Sequence, residues 1–240
     1  VDYVDVVATE GKRISQVARR GPADAPVPHI PRWTVESVVA HLGGVHRWAA
    51  RTVRDRRLEG GHRRGKEKGE ALVRWFDEGV QELVEALRGA DPSEPCTNFS
   101  PGSPKNVGFW YRRQAHETTM HRWDVEAAVD DVTPIDPAFA SDGIDELFRT
   151  FTRTRGKQVL AGPVVVRTTD TAESWTLVPT EKPGRVDLTT DEVPPIAVLA
   201  GPAEHLLLAL WKRLPLHSAQ VAIEGDAGAV EAFVSGPVSP

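Results

Sequence analysis

The chain has 240 residues, with 34 acidic and 29 basic side chains, a formal net charge of −5 with histidine neutral, and one cysteine beside eight histidines. A single cysteine excludes an internal disulfide framework and any multi-thiolate metal site, while 40% hydrophobic and 26% charged residues exclude disordered and fibrous classes. No apolar run approaches the ~18–20 residues of a membrane span, and Val1 to Arg20 is charged and periodic rather than a signal segment. A cytoplasmic enzyme or binding protein is expected, with no membrane partner, and any metal must rest on histidine and carboxylate.

The first two-thirds reads as helical. Val4, Val7, Ile14 and Val17 share one face of a first helix, which Gly21 and the proline-rich stretch Pro22 to Pro31 end. Thr34 is placed to cap a second helix, whose apolar stripe is Val35, Val38, Val39, Leu42 and Val45. Residues 54–70 form a basic, glycine-containing connection expected to be solvated. Ten basic side chains fall between Arg47 and Arg74 against four acidic ones, but no aromatic interleaving accompanies them, so no nucleic-acid surface is expected. A third helix carries Leu72, Trp75, Phe76, Val80, Leu83 and Leu87 to a stop at Gly89. Residues 91–106 read as a loop, and a fourth helix runs from about Gly108 to Ala128. Asp136 and Pro137 open a fifth as cap and first-turn proline, continuing to about Arg153.

After Gly156 the pattern changes to short β-prone runs: Pro163–Thr168, Ser174–Pro179, Arg185–Thr190 and Pro195–Ala200. Gly201-Pro202 then opens a helix ending near Leu214-Pro215, followed by a strand at Gln220–Glu224 and a last helix at Ala227–Val234. The fold class expected is two-domain α+β: a four- or five-helix bundle over residues 1–156, and a small α+β domain over 157–240.

Chemistry concentrates in the fourth helix, at His116-Glu117-Thr118-Thr119-Met120-His121-Arg122-Trp123-Asp124. His116 and His121 are five apart, roughly 140° around a straight helix, and cannot share an ion. Glu117 and His121 are four apart and lie on one face. Asp124 follows three residues later, placed as an acceptor behind a ligating imidazole. On the second helix His41 lies in register with Val38 and Val45, facing the bundle interior, whereas His46 points further out. His41 is therefore the third ligand favoured over His46. Two histidines and a carboxylate with open positions suit a catalytic divalent ion: zinc, or nickel or iron. Periodicity leaves two other readings open, a hydrogen-bonded core histidine at 41 and a simple surface pair at 117 and 121.

The segment from Trp33 to Ala49, with WYRRQAHETTMHRWDVEAA, resembles the mycothiol-dependent maleylpyruvate isomerase family, within the DinB-like helical bundles. That family has a tryptophan near the start of its second helix and a histidine eight residues on, matched by Trp33 and His41. Its later Glu-x-x-x-His is matched by Glu117 and His121, and its following aspartate by Asp124. The resemblance implies that His41, Glu117 and His121 bind zinc, and that the second domain is sterol-carrier-like. It also implies that Arg213, closing GPAEHLLLALWKR, serves catalysis by holding a substrate carboxylate or part of the thiol cofactor; a helix C-terminal charge is the alternative there. In such an enzyme zinc lowers the pKa of the mycothiol thiol. The thiolate adds to the cis double bond of maleylpyruvate, and rotation and elimination give fumarylpyruvate. The partners implied are a low-molecular-weight thiol and a small electrophile. Another thiol transfer, a zinc-dependent hydrolase using the same triad, and a non-catalytic ligand-binding or regulatory protein are the alternatives.

The remaining candidates read as ordinary. Trp48, Trp75, Trp110 and Trp123 are expected in the core, and His62, His205 and His217 lack partners at ligand spacing. Cys96 lies in a loop without an adjacent histidine and is not expected to be a nucleophile.

Overall fold

The computed structural model describes residues 1–152, 159–182, 184–217, 220–236 and 238. Four long helices come first: α1 (Tyr3–Arg20), α2 (Val35–Asp55), α3 (Gly69–Arg88) and α4 (Val107–Ala127). Side chains start three of them. Asp2 accepts from the backbone N–H groups of Val4 and Asp5, Thr34 from Ser37, and Asn106 from Phe109, satisfying N–H groups that the helix leaves unpaired.

The four helices form one compact unit, Val1–Phe99 with Pro104–Thr133. Around the bundle the order is α1, α3, α2, α4, so α4 packs against α1 on one side and α2 on the other. Phe76, Leu42, Leu83, Leu87, Ile14 and Trp110 are fully buried at its centre. Arginine and glutamate at buried positions of α4 are tolerated because they pair. Arg122 donates to Glu126 at 2.9 Å and to Glu10 of α1 at 2.6 Å, while Glu126 also accepts from Arg13 at 2.5 Å. That network clasps α1 to α4.

The second unit is Ser100–Ser103 with Pro134–Pro240. It opens with α5 (Pro137–Leu147), which runs into a π-type turn, Phe148–Thr152. The sheet has the order β3-β2-β1-β4-β5, from β1 (Val164–Thr168), β2 (Ser174–Pro179), β3 (Val186–Thr189), β4 (Ala197–Gly201) and β5 (Ala222–Gly225). Among the described residues only β1 and β4 pair in parallel, with Val166 opposite Leu199. Helices α6 (Ala203–Leu210) and α7 (Ala227–Ser235) complete the unit. Its core gathers Val164, Val166, Leu177, Leu199, Leu206 and Phe233.

Fold class and element order follow the expectation, with two differences. The expected boundary at 156/157 and the expected end of the fifth helix near Arg153 lie outside the described residues, whereas the compact units divide at 133/134. The bundle thus has four helices, and α5 goes with the sheet. It packs on α6, Ile135 N–H bonds Glu204 at 2.9 Å, and the Trp175 indole bonds Asp145 at 3.1 Å. Second, α6 ends at Leu210 rather than Leu214, because Lys212 turns left-handed at φ 60°. No helix among the described residues is long and apolar enough to cross a membrane.

Candidate metal centre

Helical register brings Glu117, His121 and Asp124 to one face of α4, and the neighbouring α2 presents His41 to it. Glu117 Oε1 lies 3.4 Å from His121 Nε2 and 3.6 Å from His41 Nε2. One ligand atom from each of the three falls within 4.8 Å of the others, the only such group among the described residues. These separations are long for hydrogen bonds. They suit ligands sharing an ion: two atoms held at about 2.1 Å by tetrahedral zinc stand about 3.4 Å apart.

The surroundings orient the donors. His121 Nδ1 bonds Asp124 Oδ2 at 2.8 Å, which leaves Nε2 for an ion. Arg113 holds Glu117 Oε2 at 3.2 Å. His41 Nδ1 is buried and has no acceptor among the described residues, so only one of the two imidazoles is backed by a carboxylate. Trp33 forms an aromatic wall, 5.0 Å from the His41 ring and stacked 6.0 Å from His121 at 11°.

The electrostatics of the three donors follow from their burial and their neighbours. Burial works against the charge of Glu117, but the adjacent imidazoles of His121 and His41 and the nearby charges of His121 and Arg113 hold it well below the usual carboxylate range. Burial likewise opposes the charge of His121. Asp124 and Glu117 outweigh it and push His121 up to about 9. A half-buried carboxylate that stays ionised between two imidazoles is what a divalent ion requires. The residues fit the group.

Sequence reasoning placed His46 on the outer side of α2. It is instead fully buried, with Nε2 3.0 Å from the Thr118 hydroxyl and its ring 5.6 Å from Phe76. Burial drives its pKa down to about 3, making it a neutral core histidine. His62, expected to lack partners at ligand spacing, falls outside the ligand-spaced group, and its ring stands 4.7 Å from that of His41, edge-on at 88°. It sits in a loop, where no periodicity could have announced the approach. The only cue was two histidines and flanking glycines near one helix. Trp110 and Trp123 are core as expected, whereas Trp75 is half-buried beneath the Arg47 guanidinium at 4.0 Å. Cys96 is buried, and burial pushes its thiol up, away from nucleophilic use.

Arg213 belongs to the second unit and lies in the turn after α6. Its backbone N–H bonds Leu208 at 2.7 Å, and its guanidinium donates to the Trp211 carbonyl at 2.9 Å and stands 5.5 Å from the Trp211 ring.

Comparison with known proteins covers both units. The family model "Mycothiol maleylpyruvate isomerase N-terminal domain" matches residues 7–126, which contain the whole triad, and "MDMPI C-terminal domain" matches residues 138–232. Crystal structures of the mycothiol-dependent maleylpyruvate isomerase and of a mutant of it share the fold, with TM-scores of 0.65 and 0.66. Each is 12% identical and covers 94% of this chain and 93% of its own. No curated protein sequence matches.

Proposed function

The chain belongs to the mycothiol maleylpyruvate isomerase family, and we propose that it is a metal-dependent enzyme that uses mycothiol to isomerise maleylpyruvate in the cytoplasm. The observation that carries this reading is the convergence of His41, Glu117 and His121 on ligand spacing, inside the region the N-terminal family model matches. A divalent ion, zinc by choice of donors, would be held by these three and would supply the Lewis acidity that makes a cosubstrate thiol a thiolate near neutral pH.

The chain's own residues do the rest. Asp124 fixes the tautomer and orientation of His121, and Arg113 keeps one Glu117 oxygen occupied so that the other faces the imidazoles. Trp33 shields the imidazole edges from water. The absence of an accessible protein thiol agrees with a sulfur nucleophile supplied by a cosubstrate. In this reading Arg213 holds a carboxylate of the substrate or a polar group of the thiol, a task suited to a guanidinium fork.

The test is metal analysis together with turnover. Purified chain should carry one ion, lost in His41→Ala, Glu117→Ala and His121→Ala, and the loaded protein should convert maleylpyruvate only when mycothiol is present. Full metal content in all three variants would overturn the metal site. Turnover without thiol would overturn thiol dependence in favour of hydrolysis. Thiol-dependent conversion of other electrophiles but not maleylpyruvate would leave a thiol transferase.

A further inference from the structure

The basic connection between α2 and α3 is exposed, but it is seated. Gly65 N–H bonds the Ala40 carbonyl of α2 at 2.9 Å. A Cβ on Gly44 would stand 2.1 Å from the Arg63 carbonyl oxygen, and one on Gly65 2.8 Å from Leu72 and Trp75. Glycine at 44 thus lets the strap backbone lie directly on the helix, one turn beyond His41. Seated there, alternate side chains reach the metal centre: His62 against His41, and Arg64 with its guanidinium 4.5 Å above Trp33. Arg63 and Arg64 have no carboxylate partner among the described residues. Both line a cavity of about 580 Å³ with Arg47, Arg51 and Lys66, whose lining does not include His62 or the triad.

We propose that His62 is a substrate-contacting residue of this centre: outside the ligand set, it donates a hydrogen bond from its ring to an oxygen of the electrophile bound beside the ion. His62 falls outside the cluster that meets ligand spacing, so it borders the ion's site and is not one of its ligands. An imidazole N–H is a good partner for a carboxylate or enolate oxygen, so the anionic electrophile is the target we assign to it. The Arg64 guanidinium, held over Trp33, the same indole that borders His41 and His121, adds positive charge that favours the same anionic oxygen. The glycine seat makes the strap part of the site rather than a solvated connection. This inference rests on the metal-dependent reading above.

Its test uses zinc-loaded full-length protein and maleate, a cis-dicarboxylate that binds without turnover, followed by calorimetry. His62→Ala should weaken maleate binding about tenfold or more, the loss expected for a hydrogen bond to a charged group. His62→Gln, which keeps an N–H donor, should recover most of it. Gly44→Ala, a substitution a helix welcomes, should reproduce the loss with His62 present by lifting the strap. Zinc content and the sulfur-to-metal absorption of the cobalt-substituted protein with mycothiol should stay unchanged in all three. In steady state with mycothiol saturating, the loss should fall on kcat/KM for maleylpyruvate. Zinc loss in His62→Ala, an unchanged maleate affinity there, or no maleate binding by wild type would each overturn the assignment. Wild type that binds maleate but does not isomerise maleylpyruvate sinks the isomerase reading instead, and leaves His62 in place.

Discussion

Replacing Asp124 with Asn removes the charge behind His121 while keeping the side chain's shape. Asp124 is fully buried and accepts from His121 Nδ1 at 2.8 Å. The substitution has two effects of opposite sign. Losing a carboxylate behind a ligating imidazole weakens metal binding about 10–100-fold, or about 1.4–2.7 kcal/mol. Against this, a metal must displace the proton from His121. Although burial opposes that proton, Asp124 and Glu117 hold the metal-free imidazole at about 9. At pH 7 the two-unit gap lowers the wild type's apparent affinity about 100-fold, or about 2.7 kcal/mol. In Asp124→Asn, His121 falls back toward the ordinary imidazole value of about 6.5, and most of that competition disappears. The variant should therefore bind zinc about 10–100-fold more weakly than wild type at pH 9.5, where neither imidazole is mostly protonated, and as well as wild type or up to about tenfold better at pH 7. Competition with a chromophoric chelator at the two pH values reads both numbers. An equal deficit at both, or none at pH 9.5, refutes the reasoning.

Other outcomes follow from groups around the site. His46 is depressed to about 3 by burial. The unfolded chain therefore takes up a proton below about 6.5 that the folded one refuses, and stability is lost as pH falls, by about 1.4 kcal/mol per unit. Metal-free protein should lose about 2 kcal/mol between pH 6.5 and 5, a slope absent from His46→Gln in urea titrations. His121 does not mask it. Its raised value leaves it protonated in both states over that window, and its own contribution, full below 6.5, fades only as pH rises through about 9. Glu126 is fully buried between Arg122 and Arg13 and also accepts from the Thr133 N–H at 2.8 Å. Glu126→Ala strips Arg122 of one partner and should destabilise the bundle by about 3–5 kcal/mol, seen as a lower urea midpoint at unchanged slope. Metal stoichiometry at permissive temperature should not change, and a shift under 1 kcal/mol would mean the clasp is dispensable.

Much of the bundle was legible because helix caps and apolar stripes are local. Thr34 caps α2, and Val35, Val38, Val39, Leu42 and Val45 are buried on it as its period requires. Helix α4 was legible for a different reason. Nearly all its faces are buried, so it shows no apolar stripe, and its chemistry-bearing residues drew attention instead. His46 lies well around α2 from His41, yet angular distance from His41 is not distance from the core. A helix packed between two neighbours buries more than one face, and His46 points toward Thr118 of α4.

What the sequence alone determined is whatever backbone periodicity enforces. Glu117, His121 and Asp124 stand at i, i+4 and i+7, and a helix places them together whatever surrounds it. The third candidate ligand, His41, was indicated by its register with the apolar stripe of α2, and the family resemblance implied the same residue, but its approach to Glu117 depends on α2 and α4 being neighbours. Only the tertiary structure decided that α5 goes with the sheet, that α6 stops before Arg213, and that a glycine-seated strap carries His62 to His41. Each of these depends on a contact between segments with no shared period. Such contacts arise from packing shape and backbone approach, which a one-dimensional pattern does not encode.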